Sequence, residues 1–266
     1  MQETPKPKNT KRTIFILLGI GLIAGILGGL LGIGGGAFVV PALVFFLAFD
    51  QHRAHGTSLA VVLALSLSSV IVYACHKRVD FAVASEIAVG GVIGAMVGGC
   101  VVQKIKSKAL RRMFSVFLIG AGAKMIYDGV AGGPASHAEF ISVAFSLSNV
   151  MLGMGTGLLT GFLSSLLGVG GGIVMVPMLT MLLHFPQQQA QGISLAAMMP
   201  IAFTGMLKHN KLGNVDFRVA EWIAAGAVVG AITGSTLANI LPSADLKLTF
   251  GTFLIIMAAL MAAKRK

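Results

Sequence analysis

Charged residues are scarce in this sequence. They make up 11% of the 266 residues, whereas hydrophobic residues make up 56% and the mean hydropathy is +0.89. A soluble domain normally has about a quarter of its residues charged, so the composition excludes an ordinary water-soluble protein. Apolar residues instead form runs long enough to cross a hydrocarbon core, which takes about 20 helical residues. The sequence therefore predicts an all-helical integral membrane protein.

Acidic residues and cysteines are also few, which removes several classes of site. There are 9 acidic residues against 20 lysines and arginines, giving a formal net charge of +11. The cations lie in short segments beside apolar runs, where the positive-inside rule accounts for them, so nucleic acid is not an expected partner. Cys75 and Cys100 lack the spacing of a redox pair or a metal site. Without paired carboxylates or a nucleophile motif, neither an enzyme nor a cofactor or metal is expected.

The N-terminal segment is basic and then apolar, a pattern shared by signal peptides and first membrane helices. The apolar run Ile14–Leu31 is too long for a signal peptide and has no convincing cleavage motif. We interpret it as a retained first helix that follows a basic cytoplasmic tail, residues 1–12.

The sequence repeats itself with an offset of 136 residues. Gly25–Met125 aligns with Gly161–Met261 without a gap. Because internal repeats decide architecture, we expect two homologous membrane units, residues 13–130 and 140–266, joined by a linker at 131–139. The best-matched blocks are Leu30–Gly36 with Leu166–Gly172, Val40–Pro41 with Val176–Pro177, Gly56–Ala60 with Gly192–Ala196, and Val79–Phe81 with Val215–Phe217.

Each half contains five apolar segments. In the first half they span residues 13–32, 36–49, 57–75, 83–102 and 112–128. An odd number of crossings per repeat gives the copies opposite orientations, the inverted topology of many secondary transporters. Ten crossings place both termini and most basic loops in the cytoplasm and the linker outside. However, the basic loop His76–Arg78 would then be external, and the segments 36–49 and 172–185 are short. Re-entrant Gly-rich stretches with about eight crossings are the alternative.

Both copies contain contiguous glycines that predict a break in the helix. Each interior glycine costs a helix about 1 kcal/mol relative to alanine, and paired breaks in two halves indicate a transport site. A new helix is expected to begin near Ala37 and Ile173. Its first amides and its positive dipole end would bind an anion. The residues assigned to binding are Gly34, Gly35, Gly36, Gly170, Gly171 and Gly172, and those assigned to the helix break are Gly32, Pro41, Gly168 and Pro177.

Two other interpretations of the glycines are possible from sequence. The spacing Gly32-x-Gly34-x-x-Ala37 resembles a dinucleotide fingerprint, but it lacks the preceding strand and the later acidic residue. Small residues four apart also let membrane helices pack closely. Close packing is the role predicted for Gly90, Gly94 and Gly98 and for Gly226, Gly230 and Gly234, and it is the alternative role of the contiguous glycines.

A few polar residues are matched between the halves. Ser58 and Ser194 lie near a predicted helix start, where each hydroxyl either donates to an oxyanion or caps the helix. Asp80 and Asp216 lie at loop-to-helix boundaries, where capping suffices to explain them. Local pairing is expected for Lys124 and Asp128, and the unmatched residues able to carry a proton are Glu86, His184, His209 and Glu221.

The repeated Leu-Gly-Ile/Val-Gly-Gly-Gly stretch followed by Val-Pro-x-Leu resembles the TauE/SafE family of sulfite exporters, and the resemblance covers nearly the whole chain. It implies export of sulfite or a related organosulfonate across the bacterial inner membrane. It points to Gly32, Gly34–Gly36, Pro41 and their counterparts Gly168, Gly170–Gly172 and Pro177, without saying which of them touch the anion.

The expected mechanism is alternating access, in which inverted halves rock around a site near the midplane. Export suits the membrane potential, since each negative charge that leaves gains about 2.3 kcal/mol per 100 mV. An anion channel, a transporter of another small anion, or a membrane scaffold for sulfur-handling enzymes are the alternatives. The expected partners are the small anion and the lipid bilayer, and the sequence leaves a homo-oligomer open.

Overall fold

The computed structural model describes residues 10–101, 107–131, 147–167 and 171–263, and in these ranges every regular element is a helix. The prediction of an all-helical protein is thereby confirmed for the part of the chain that is described. The helices are α1 (Thr10–Leu31), α2 (Gly36–Leu47), α3 (Gln51–Cys75), α4 (Phe81–Val101), α5 (Ser107–Ala131), α6 (Leu147–Leu167), α7 (Gly172–Met181), α8 (Gln187–Lys211), α9 (Phe217–Ile240) and α10 (Ser243–Ala263).

The helices fall into two length classes. Within the described ranges, six of them (α1, α3, α5, α8, α9 and α10) are long and apolar enough to cross a membrane. Helices α4 and α6 have 21 residues each. In contrast, α2 has 12 residues and α7 has 10, which at 1.5 Å per residue gives about 18 Å and 15 Å. The hydrocarbon core is about 30 Å thick, so neither short helix crosses it alone.

Aspartate side chains fix where three of the helices begin. Asp50 accepts hydrogen bonds from the amides of His52 and Arg53, so α3 starts at Gln51, six residues before the apolar segment predicted at 57–75. Asp80 caps α4 in the same way, and Asp216 caps α9 by accepting from the Val219 amide. The capping role expected for Asp80 and Asp216 is confirmed.

The first helix of each half packs against a helix of the other half. Helix α1 packs along α9, and α6 packs along α4, in the two most extensive helix contacts of the described chain. In the first of these pairs the contacts run in parallel, because Gly226, Gly230 and Gly234 touch the carbonyl oxygens of Leu18, Leu22 and Ile26. The pairing of α4 with α6 is also parallel, and here Gly90 and Gly94 touch the carbonyl oxygens of Met154 and Leu158.

These contacts confirm the predicted packing role of the glycines spaced four apart. A side chain at any of the five positions would overlap the backbone of the neighbouring helix, so only glycine permits this approach. Gly98 lies outside the residues whose packing is described.

Helices α3 and α8 cross the middle of the molecule as an antiparallel pair. Gly56, near the start of α3, approaches the Cβ of His209 near the end of α8, with 3.0 Å between that atom and an ideal Cβ on the glycine. At the opposite end, the hydroxyl of Tyr73 meets the side chain of Gln191. The short helix α2 packs on α3 and α7 packs on α8, so each short helix lies beside the central pair.

Candidate functional site

The chain reverses between α1 and α2 through a run of glycines. Helix α1 ends at Leu31, and Gly32, Gly34 and Gly35 then have φ angles of +72°, +71° and +71°. Residues other than glycine rarely adopt this left-handed backbone conformation. Helix α2 begins at Gly36, one residue from the start expected from the sequence. The break lies at the middle of α3 and α8, because a Cβ on Gly34 would contact both Val62 and Met198.

The second break lies directly against the first. A Cβ on Gly172, the first residue of α7, would be 2.5 Å from the Cα of Ile33 and 2.8 Å from the carbonyl oxygen of Gly32. Gly171 precedes α7 with φ −63°, so unlike Gly35 it is in the right-handed region. Gly168 and Gly170 lie outside the described residues.

The start of α7 therefore lies against Gly32 and Ile33, in the loop that leads into α2. The amides of Gly36 and Ala37 in α2, and of Gly172 and Ile173 in α7, belong to the first turn and have no intrahelical acceptor. Each helix also carries the positive end of its dipole there. All four residues are buried, and Ala37 and Ile173 are 6% and 0% exposed. Two positively polarised helix ends that meet inside a protein form an environment suited to an anion.

Neither matched serine caps a helix, which contradicts one of the two roles expected for them. Ser58 is the eighth residue of α3 and Ser194 the eighth of α8. The Ser58 hydroxyl donates to the carbonyl of His55 in its own helix, 2.8 Å away. The Ser194 hydroxyl donates instead to the Gly32 carbonyl, 3.0 Å away in the break of the other half. Ser194 thus contacts the candidate site, and Ser58 uses its proton within α3.

The prolines assigned to the helix break lie inside the short helices. Pro41 is the sixth residue of α2 and Pro177 the sixth of α7. A proline removes one backbone donor but need not end a helix within its early turns. The interruption itself is therefore formed by the glycines.

A hydrogen-bonded pair beside the break was missed by the sequence reasoning. The Tyr73 hydroxyl lies 2.9 Å from the carbonyl oxygen of Gly29 and 3.1 Å from Oε1 of Gln191. Both side chains are fully buried. The available signal was the repeat itself, because polar residues occupy both positions again 136 residues away, as His209 for Tyr73 and His55 for Gln191.

The unmatched ionisable residues are scattered. Glu86 faces Gly153 of α6, Glu221 is exposed on α9, and His209 lies beside Gly56. His184 lines a cavity of about 370 Å³ at the ends of α5, α7 and α10, away from the break, together with Met125, Asp128, Thr180, Phe185, Pro186 and Lys247. The local pair predicted there is confirmed, since Lys124 Nζ lies 2.9 Å from Asp128 Oδ2.

Known proteins resemble this chain over most of its length. The family model described as sulfite exporter TauE/SafE matches residues 2–125 and 153–266. A probable membrane transporter protein of Bacillus subtilis, YunE, is 31% identical over 247 residues, covering 84% of this chain and 87% of the relative. A probable membrane transporter protein of Methanocaldococcus jannaschii is 34% identical over 203 residues, covering 73% of this chain and 71% of the relative. No solved structure matches significantly.

Proposed function

The chain belongs to the TauE/SafE family of membrane transporters, and we propose that it exports sulfite or a related small sulfur oxyanion across the bacterial inner membrane. The anion is held where α2 and α7 begin. The observation that carries this proposal is the contact of Gly172 with Gly32 and Ile33, which puts the start of α7 against the loop that leads into α2.

The site offers an anion backbone amides in place of its hydration shell. Amides of first-turn residues have no intrahelical acceptor and are free to donate to an anion. No lysine or arginine is required, and a site of neutral donors binds an anion more weakly than an ion pair would. Moderate binding suits a transporter, because the anion must also leave.

Inverted repeats are supported by the directions of the helix contacts. Helices α3 and α8 occupy matching places in the two halves and run antiparallel, as do α5 and α10, where Gly122 meets Gly251 and Gly129 meets Leu248. We infer that the halves, residues 13–130 and 140–266, are related by an axis in the membrane plane, with about eight full crossings and two half-length helices. The end of the molecule that carries Lys208 and Lys211 is then cytoplasmic, together with both termini.

Alternating access is the mechanism we propose for this site. Ser58 and Ser194 are 3% and 0% exposed, so the described arrangement is closed around the break, and the two halves must move apart for the anion to enter and leave. The membrane potential can drive the export, since a monoanion that leaves a negative interior gains about 2.3 kcal/mol per 100 mV and a dianion about twice that.

The test is efflux of radiolabelled sulfite from liposomes that contain the purified protein, under an imposed membrane potential. We compare the wild type with Gly35→Ala and Gly213→Ala. Both glycines have a left-handed φ, +71° and +72°, so both substitutions carry a similar backbone cost, about 1–2 kcal/mol. Only Gly35 lies at the break, whereas a Cβ on Gly213 would meet open space.

We expect saturable efflux from the wild type and from Gly213→Ala, and loss of efflux in Gly35→Ala. Gly36→Ala adds a milder probe, because its Cβ would be 3.3 Å from Val62 and the position has no positive φ. If the folded wild-type protein releases no sulfite, the proposed substrate is wrong. If Gly35→Ala transports normally, the proposed site is wrong, and a rate that never saturates would indicate a channel.

A further inference from the structure

Helix α8 of the second half contacts the glycine break of the first half through two polar residues, Gln191 and Ser194. A Cβ on Gly32 would be 2.6 Å from the Cβ of Gln191 and 2.7 Å from its Cα. Ser194 follows three residues later, on the same face of α8, and donates to the Gly32 carbonyl. Gln191 and Ser194 therefore lie on either side of the Gly32 backbone.

In the carboxamide of Gln191 the oxygen is hydrogen-bonded, whereas the nitrogen has no partner among the described residues. Its Oε1 accepts a hydrogen bond from the Tyr73 hydroxyl, 3.1 Å away, whose single proton is shared with the Gly29 carbonyl, 2.9 Å away in the last turn of α1. Its Nε2 is buried and has no hydrogen-bond partner among the described residues. A carboxamide nitrogen carries two protons to donate. Nearly all buried polar atoms are paired, so a fully buried donor without an acceptor calls for an explanation.

We propose that Gln191 binds the transported anion through Nε2, and that Tyr73 positions its carboxamide. This inference rests on the function proposed above and adds a side-chain donor to the backbone amides at the starts of α2 and α7. The ligand class is an oxyanion, whose oxygen atoms can accept a hydrogen bond from Nε2. The groups shown to contact Gln191 and Ser194 are a phenol, a thioether and backbone atoms, so the donor set is neutral.

The position of Gln191 is occupied by a different kind of donor in the other repeat. The residue that matches Gln191 is His55, whose imidazole, unlike a carboxamide, can take up a proton. A carboxamide presents the same donor strength at every physiological pH. The Gln191 side of the break therefore binds the anion without a change of its own charge.

The experiment measures binding and transport separately in Gln191→Leu. Binding is read as the rise in melting temperature of the detergent-solubilised protein with added sulfite, because a ligand that binds only the folded state stabilises it. Transport is read as the sulfite concentration that gives half-maximal efflux. We expect Gln191→Leu to lose most of the thermal shift and to raise this concentration about ten- to hundred-fold, the loss for one hydrogen bond to a charged acceptor.

Three further variants keep the result interpretable. Gln191→Glu preserves the shape of the side chain and places a carboxylate against the anion, so we expect it also to lose the thermal shift. Gln187→Leu is the control, because Gln187 is an equally buried carboxamide in the first turn of α8 whose nitrogen also lacks a partner among the described residues, and it should behave as the wild type. Tyr73→Phe should raise the half-saturating concentration by a smaller factor at an unchanged maximal rate, as a positioning residue would.

The outcomes separate this inference from the function on which it rests. If the wild type transports sulfite and Gln191→Leu retains the wild-type half-saturating concentration and thermal shift, Gln191 is not a ligand and the transporter assignment stands. An equal loss in Gln187→Leu would also overturn the inference, since it would show that removing any buried carboxamide near the start of α8 weakens binding. If the wild type neither binds nor transports sulfite, the proposed substrate fails.

Discussion

At one end of the α3/α8 pair Tyr73 meets Gln191, whereas at the other end the residues 136 positions away, His209 and His55, lie close together. We call the first the tyrosine end (Tyr73, Gln191, Gln188 and Ser243) and the second the histidine end (His55, His209, Arg53 and Asp216). The tyrosine end is connected by neutral hydrogen bonds, including the one that Ser243 donates to Gln188. The histidine end contains an ion pair, with Arg53 Nη2 2.6 Å from Asp216 Oδ2.

The frame of the two ends is the same even though their chemistry differs. Gly56 at the histidine end touches the carbonyl of Asn214. Its match at the tyrosine end, Gly192, touches the carbonyl of Arg78, and an ideal Cβ on Gly192 would be 2.5 Å from that oxygen. In each case the glycine admits the loop that follows the opposite central helix. The backbone is thus repeated, whereas the side chains that join the central helices differ: a phenol and a carboxamide at the tyrosine end, and imidazoles beside an ion pair at the histidine end.

The largest expected effect is on stability at the tyrosine end. Tyr73 is fully buried, so Tyr73→Ala should lower the free energy of unfolding by about 3–5 kcal/mol through the cavity it leaves. Tyr73→Phe should cost only about 1 kcal/mol, the value of one hydrogen bond. His209→Ala, at the matched and partly exposed position, should cost less than Tyr73→Ala. Chemical unfolding in detergent provides the measurement, and equal losses at the two positions would remove this distinction between the ends.

The next effect is a pH dependence that originates at the histidine end. Protonation of both His55 and His209 would place like charges together near His52 and Lys208, so acidification should push α3 and α8 apart at this end. We expect the efflux rate of the wild type to change several-fold as the pH is lowered from about 8 to about 5. The double variant His55→Gln, His209→Tyr, which reproduces the chemistry of the tyrosine end, should flatten the profile.

The substrate has the same protonation state in both proteins at a given pH, so it cancels in the ratio of their rates. Identical profiles for the wild type and the double variant would show that the histidines have no part in the pH response.

A smaller effect is expected in how the stability of the two ends depends on salt concentration. Asp216→Asn removes the charge opposite Arg53 and keeps an oxygen to cap α9. Because the two side chains are 31% and 14% exposed, we expect a loss of about 1 kcal/mol that shrinks as salt screens the pair. Asp128→Asn is the control for an exposed pair within one helix, expected to cost about 0.3–0.5 kcal/mol. Melting temperatures at low and high salt test this, and a salt-independent loss would contradict it.

The smallest effect is expected for Ser243→Ala at the tyrosine end. It removes a neutral hydrogen bond to Gln188, which retains its contact with the Leu241 carbonyl, so the loss should be at most about 1 kcal/mol. The same melting experiment should show no change in this loss with salt. A salt-dependent loss would mean that the tyrosine end also relies on charge.

Local signals in the sequence predicted the helices and their interruptions well. Contiguous glycines and hydropathy placed the starts of α2 and α7 within one residue of Gly36 and Gly172, because helix propensity acts on neighbouring residues. The start of α3 was placed six residues late, since His52, Arg53 and His55 read as loop but lie in a helix capped by Asp50.

The part of the site that depends on distant contacts could not be predicted. The link between Tyr73 and Gln191 joins residues 118 positions apart and requires that α3 and α8 cross as an antiparallel pair. Nothing local to either residue indicates that crossing. The same holds for Ser194, whose acceptor Gly32 is 162 positions away.

The exchange of first helices between the halves has a consequence for biosynthesis. The glycine contacts of α1 are made with α9, whose residues are synthesised about 200 positions later. At about 5–20 residues per second, α1 waits roughly 10–40 s in the membrane before its partner exists. During that time its closely spaced glycines face lipid, the insertion machinery or earlier helices of the chain, so the native contact of the first helix is among the last to form.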